Sequence, residues 1–241
     1  MPDHRLHRGA HPEDVELFAA DQWPALQTAA ADLRWLLDHG YALRSSLALT
    51  GDRYGLSQRQ RLAVARCACS REQYERRDAH RVELGVLNGR ELWIDGYNLL
   101  ISIESALSGG VLLLGRDNCY RDMASLHGTY RQVTETAPAA ELIGKVTANW
   151  GVTKCCWLLD RTVANSGLLK DVLLRTAEAS GWAWQIELEF SPDHILSETN
   201  EIVASSDSVV LDHCQQWCNA ARTIIETHVP RSRVVDLSGA A

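Results

Sequence analysis

The chain has 241 residues, 46% hydrophobic and 23% charged, enough for a sizeable core and too apolar for disorder. No run of 18 apolar residues and no leader-like segment occurs, so neither a membrane span nor export is expected. The seven cysteines, an odd number, then read as reduced thiols of a cytoplasmic protein. A net charge of −7 excludes a protein that coats nucleic acid non-specifically, because phosphate neutralisation needs clustered Lys and Arg.

Charge is unevenly spread. Eight Arg face three acids between Arg53 and Arg81, a local net of +5, whereas seven acids and no Lys or Arg lie between Trp182 and Asp212. A basic half and an acidic pocket suit a nucleic-acid-processing enzyme, and they equally suit a protein that docks on itself as a homo-oligomer.

In chain order, the polar opening through Asp14 is expected to fray. The spacing of Leu26, Ala29, Leu33, Leu36 and Leu37 predicts a helix stopped by Gly40, and a shorter one follows, ending at Gly51. Ser57 and Gln60 form a capping box for a third helix, with Leu62, Ala65 and Cys69 as its apolar face and Arg59, Arg61 and Arg66 elsewhere. The charged stretch 71–81 reads as a solvated helix end running into a linker, with a turn at 88–90. Residues 1–80 thus form a small, all-helical, Arg-rich N-terminal domain.

From 81 to 241 the pattern changes. Short strand-type runs at 91–96, 154–160, 182–190, 201–207 and 233–237 alternate with helical segments at 98–107, 138–150, 166–181 and 207–228. Such alternation indicates βαβ units and an α/β domain with a mostly parallel, open sheet.

Three of these runs close on an acid: Asp95, Asp160 and Asp207. Ligands of open parallel sheets bind beyond the strands' carboxyl ends, so these acids are expected around one polar cleft. Crowded carboxylates repel unless one is protonated or a hard cation sits among them, and Mg²⁺ or Mn²⁺ would satisfy all three. Gly96 permits a sharp turn after Asp95, and Asn98 can cap the next helix or orient Asp95. Ser206 and Ser208 flank Asp207 at a helix start, where they can cap or meet a phosphate. Arg161 and Asn165 follow Asp160 as further phosphate-binding or capping groups. The polar stretch 115–131 adds Asp117 and Asp122 as carboxylates, and Arg116, Arg121, His127 and Arg131 as phosphate ligands. Glu104 lies at the far end of its helix from the turn. Cys214, Cys218 and His213 lack a second ligand pair and read as core rather than zinc.

The segment WIDGYNLLI, with Asp160 at a strand end and SSDS at 205–208, resembles the NYN and PIN-like nucleases. Nearly the whole chain also resembles an uncharacterised prokaryotic family, domain of unknown function 434. The carrying stretches are GDRYGLSQRQRLAVAR, WIDGYNLLISIESALSGG, RDMASLHGTYR, LLDRTVANSG and VASSDSVVLD. The nuclease resemblance implies a PIN-like fold in which Asp95, Asp160 and Asp207 hold Mg²⁺ or Mn²⁺, Asn98 orients them, and RNA is hydrolysed. The family's late acids often come as a close pair, whereas Asp207 stands between serines. Two other readings stay open: a non-catalytic RNA- or nucleotide-binding module, and a regulatory scaffold that docks through its Arg-rich segment.

Overall fold

The structure, a computed structural model, describes residues 6–124 and 128–239. His127 lies outside the described residues.

The N-terminal part is helical: α1 (Asp14–Leu17), α2 (Trp23–Asp38), α3 (Leu43–Arg53), α4 (Gln58–Cys67) and α5 (Arg71–His80). Helix α2 buries Leu26, Ala29, Ala30 and Leu33 at helical spacing. It ends as predicted at Gly40, where the Gly40 and Tyr41 N–H groups return to the carbonyls of Leu37 and Leu36. Helix α3 runs on through Gly51 to Arg53, two residues beyond expectation. The Ser57–Gln60 capping box forms, but α4 buries Ala63, Val64 and Cys67, leaving Leu62 on the surface. Its apolar face is rotated from the predicted one because α4 stops at Cys67, so Cys69 is buried outside the helix.

The predicted linker is a helix with its own capping box, Ser70 with Gln73, and its Arg77 is buried. Of the opening expected to fray, residues 1–5 lie outside the described residues, and residues 6–8 are tied down. Thr134 donates its N–H to the Leu6 carbonyl, His7 Nδ1 bonds Glu135, and Arg8 Nε reaches Glu104 at 2.8 Å.

The remaining elements are β1 (Glu91–Asp95), α6 (Gly96–Leu107), β2 (Val111–Leu114), β3 (Tyr120–Asp122), α7 (Thr136–Asn149), β4 (Lys154–Asp160), α8 (Ser166–Ser180), β5 (Trp184–Glu189), α9 (Pro192–Glu198), β6 (Ile202–Ala204), α10 (Ser208–His213), β7 (Trp217–Cys218), α11 (Ala220–His228) and β8 (Arg233–Asp236). Five strands form a wholly parallel sheet in the order β5-β4-β1-β6-β7. Side chains alternate as a doubly covered sheet requires. Leu92, Ile94, Trp157, Leu159, Ile202 and Ala204 face the core beneath α6, α7, α8 and α11. Trp93, Leu158 and Val203 face the smaller core under α9 and α10.

A second sheet, β3-β2-β8, pairs β2 antiparallel with β3 and parallel with β8. Leu112 of β2 enters the main core, while Val111 and Leu113 enter a core shared with Phe18, Leu26, Leu33, Val64 and Val235. The N-terminal helices therefore complete their core with β2 and β8, strands that lie outside the N-terminal helical region.

The long helix predicted over 207–228 is instead α10, β7 and α11. Trp217 is drawn into the sheet edge, pairing with Val203 and donating its indole N–H to the Arg77 carbonyl at 2.7 Å. Cys214 and Cys218 accordingly share no helix; both are buried free thiols. Among the described residues no helix is long and apolar enough to cross a membrane.

Candidate functional site

Strand β1 sits at the centre of the sheet. The chain winds outward from it through β4 to β5, then crosses back to β6 and β7, so strand order reverses between β1 and β6. Asp95 closes β1 at this point, and the loop Ser205–Asp207 leaves β6 beside it. A cleft of about 1120 Å³ opens there, walled by Asp95, Tyr97 and Asn98 from the β1–α6 junction, Asp160 from β4, Phe190 and Asp193 after β5, and Ser206 to Val209 after β6.

Local hydrogen bonds fix the β1–β6 corner. Asp95 caps α6, its Oδ1 accepting the Asn98 N–H at 3.4 Å, while its Oδ2 accepts the Ser205 hydroxyl at 2.7 Å. Asn98 Oδ1 accepts both the N–H and the hydroxyl of Ser206, at 2.8 and 2.9 Å. Asp207 donates its own N–H to Ser205 Oγ and caps α10 through Oδ1. Asp160 Oδ1 accepts the N–H and hydroxyl of Thr162, both at 2.7 Å.

Gly96 is not in the left-handed region, so its place after Asp95 is not explained by a turn. A Cβ there would stand 2.8 Å from the Leu158 carbonyl and 2.5 Å from Leu159 Cδ2, so only glycine lets α6 start this close to β4.

The electrostatics are one-sided. Burial pushes Asp95 up to about 7, and the nearby carboxylates of Asp207 and Asp193 add to that push against the bonds from Ser205 and Asn98. Asp193 is raised by burial and by Asp207 and Asp160. Asp122 also lines the cleft and is raised by burial, opposed by Arg66. Tyr97 is 6% exposed, and its hydroxyl has no hydrogen-bond partner among the described residues. Burial and the charge of Asp160 push that phenol up to about 12. A buried hydroxyl without a partner is uncommon in folded proteins, and this one lies beneath the cleft wall.

The model of the family described as "Domain of unknown function (DUF5616)" matches residues 84–223, more than half of the chain. The chain belongs to that family. A second model, "Protein of unknown function (DUF434)", matches residues 25–79. An uncharacterized protein of Methanocaldococcus jannaschii is 27% identical over 187 residues, covering 78% of this chain and 89% of its own. No solved structure matches the chain significantly.

Among the candidates named from sequence, Asp95, Asn98, Asp160, Asp207, Ser206, Ser208 and Arg121 line the cleft. Arg121 does so as a locked group: its guanidinium clasps Asp117 at 2.6 and 2.8 Å, and its Nε donates to the Ser206 carbonyl at 2.9 Å. Arg161 stands at the rim with its guanidinium 5.0 Å from the Phe190 ring centroid. Two others are directed away. Arg116 pairs with Asp38 at 2.8 Å and bonds the Cys69 carbonyl. Asn165 makes no side-chain cap to α8; it adopts φ 70° and ties the Tyr130 carbonyl at 2.9 Å. Asp117 is enclosed between Arg77 and Arg121. Glu104 is buried with Arg8, Tyr130 and Thr136.

Sequence reasoning missed Asp193, Tyr97, Phe190 and Ser205. Asp193 follows Pro192 in the first turn of a helix, where an acid ordinarily reads as a partner of the helix dipole. Tyr97 lay inside the very segment that drew attention to Asp95. The pairing of β1 with β4 and of β4 with β5 brings Asp193 to the same cleft as Tyr97.

Proposed function

We propose that this cleft is the active site of a divalent-cation-dependent ribonuclease with a PIN-like α/β domain. The observation that carries the reading is a set of aspartates, Asp95, Asp160 and Asp207 at or just beyond three strand ends and Asp193 in the first turn of α9, lining one cleft with no ion pair to a basic side chain among the described residues. Gathering like charges around the buried Asp95 is unfavourable by itself, and a cation resolves it.

Among the described residues no three His, Cys, Asp or Glu side chains gather as a ready-made metal cage. Mg²⁺ does not need one, because it keeps several waters and usually takes one or two carboxylates plus phosphate oxygens of the substrate. The donor set of Asp95, Asp160 and Asp207, hard oxygens with no built-in counter-cation, fits Mg²⁺ or Mn²⁺ on those terms. When bound, such an ion neutralises charge on the phosphoryl group under attack.

The chain's own groups supply the rest. Asn98, held by Ser206, keeps the β6 loop and therefore Asp207 against β1. Asp95, whose carboxyl is pushed up to about 7 by burial in the metal-free protein, is the acid that a bound cation would convert to its carboxylate. Arg161 at the rim provides positive charge for a phosphate.

The test is cleavage of RNA and of single-stranded DNA in Mn²⁺ by the purified protein, with Asp95→Asn beside it. Cleavage of RNA that Asp95→Asn reduces by three orders of magnitude or more supports the reading. Equal cleavage by both proteins assigns the activity to a contaminant and removes it. RNA that is bound in a salt-sensitive manner but left intact would instead make this a binding module.

A further inference from the structure

Phe190 immediately follows β5 and is 69% exposed although it lines the cleft. Large aromatic side chains are seldom left so open, and this one is not isolated. The Arg161 guanidinium covers the ring at 5.0 Å from its centroid, and Arg161 is held in register by its N–H bond to the Glu189 carbonyl at 2.8 Å. No carboxylate among the described residues pairs with that guanidinium. An aromatic ring and an unpaired Arg therefore stand side by side between solvent and the acidic floor formed by Asp160 and Asp193.

We propose that Phe190 and Arg161 form a clamp for one unpaired nucleotide of the strand entering the cleft, the base stacking on the Phe190 ring and its phosphate meeting Arg161. The proposal deepens the nuclease reading and rests on it for the identity of the ligand. Three features support it. A π-face accepts any base and needs no hydrogen-bond code, which suits a single exposed Phe. A guanidinium that lies over an aromatic face remains free to bind phosphate in its own plane. Of the arginines at the cleft, Arg121 is clasped by Asp117 and Arg66 is bonded to the carbonyls of Asp122 and Ala124, which leaves Arg161 beside the ring as the guanidinium free to meet a phosphate. Bases inside a duplex are already stacked on their neighbours, so the clamp selects unpaired strands.

The test measures binding apart from cleavage. Asp95→Asn protein in EDTA is titrated by fluorescence anisotropy with a labelled 12-nucleotide RNA, the same strand with abasic sites throughout, and the corresponding duplex. Adding Phe190→Ala should weaken binding of the normal strand about tenfold and leave the abasic strand within twofold. Phe190→Tyr, which keeps the ring, should retain the affinity. Arg161→Ala should weaken both strands and flatten the salt dependence. An unchanged affinity in Phe190→Ala, or an equal loss for normal and abasic strands, overturns the clamp. Because no step requires catalysis, Phe190-dependent binding without cleavage in Mn²⁺ would retain the clamp while the nuclease reading falls. Cleavage indifferent to Phe190 would do the reverse.

Discussion

Two groups of acids, each built around one buried aspartate, Asp117 or Asp95, lie on either side of the β6–α10 loop and are built to opposite plans. In one, Asp117 is enclosed by Arg77 at 2.5 Å and by a bidentate Arg121, and Arg77 also reaches Asp212 at 2.7 Å. In the other, Asp95, Asp193 and Asp207 face each other with hydroxyls and amides for company but no cation. Burial pushes both Asp95 and Asp117 upward. The guanidinium groups of Arg121 and Arg77 overcome that push and hold Asp117 well below the usual carboxylate range, whereas Asp95 climbs to about 7. The same side chain is thus neutralised internally where it serves the fold, and left wanting positive charge where the fold opens to solvent. The two groups are joined. Arg121 donates to the Ser206 carbonyl, and Ser206 donates to Asn98.

The largest effect should come from breaking the neutralised group. Asp117→Asn leaves Arg77 and Arg121 facing each other in the interior, and removing one partner of a buried ion pair costs about 3–5 kcal/mol. The native carboxyl has its pKa depressed, so its contribution is complete above the ordinary value of 3.8 and is lost only as pH falls below it. The measurement is urea denaturation at pH 7 and at pH 3. A loss under 1 kcal/mol at pH 7 would mean that the pairing is not what holds this loop.

Asp95→Asn should go the other way. In the metal-free protein the native carboxyl keeps its proton up to about pH 7, while in the unfolded chain it releases it near 3.8. Native protein therefore binds the extra proton between those values, and stability falls as pH rises through that window. Replacing the acid with an uncharged amide should stabilise the protein by about 1–2 kcal/mol above pH 7, after allowing for the altered bonds to Ser205 and Asn98, and by nothing below pH 4. Thermal melts across pH 4 to 8 read this directly. A variant less stable than wild type at pH 8 would show that the Asp95 charge is already compensated.

Much of this contrast lies beyond single-sequence reasoning. Short apolar runs ending in acids placed Asp95, Asp160 and Asp207 at strand ends, because a parallel strand's apolar run and its terminal residue are local features. Arg77 was unreadable for the opposite reason. Its helix is among the most charged in the chain, and its burial depends on Asp117 and Asp212, 40 and 135 positions away. The same holds for β2 and β3, which are too short to signal themselves and form only because β8 lies alongside. The segment around Trp217 misled through composition: its residues suit a helix, and a sheet edge that needed an indole took precedence over propensity.

The smallest and most informative change is at the joint between the two groups. Ser206→Ala removes a hydroxyl bonded to Asn98 Oδ1 at 2.9 Å but keeps the Ser206 N–H on the same oxygen at 2.8 Å, and the Ser206 carbonyl remains on Arg121. A hydrogen bond lost where a second donor keeps the acceptor satisfied costs about 0.5–1 kcal/mol. Stability should therefore fall slightly. If the neutralised group positions the open one through this loop, Mn²⁺ affinity should fall by more than that stability loss, since Asp207 is the next residue and its N–H is fixed by Ser205. Denaturation and Mn²⁺ titration of one protein sample compare the two. Equal, small losses in both would mean that Asp207 is held by its own cap on α10 and that the paired and open acids are independent.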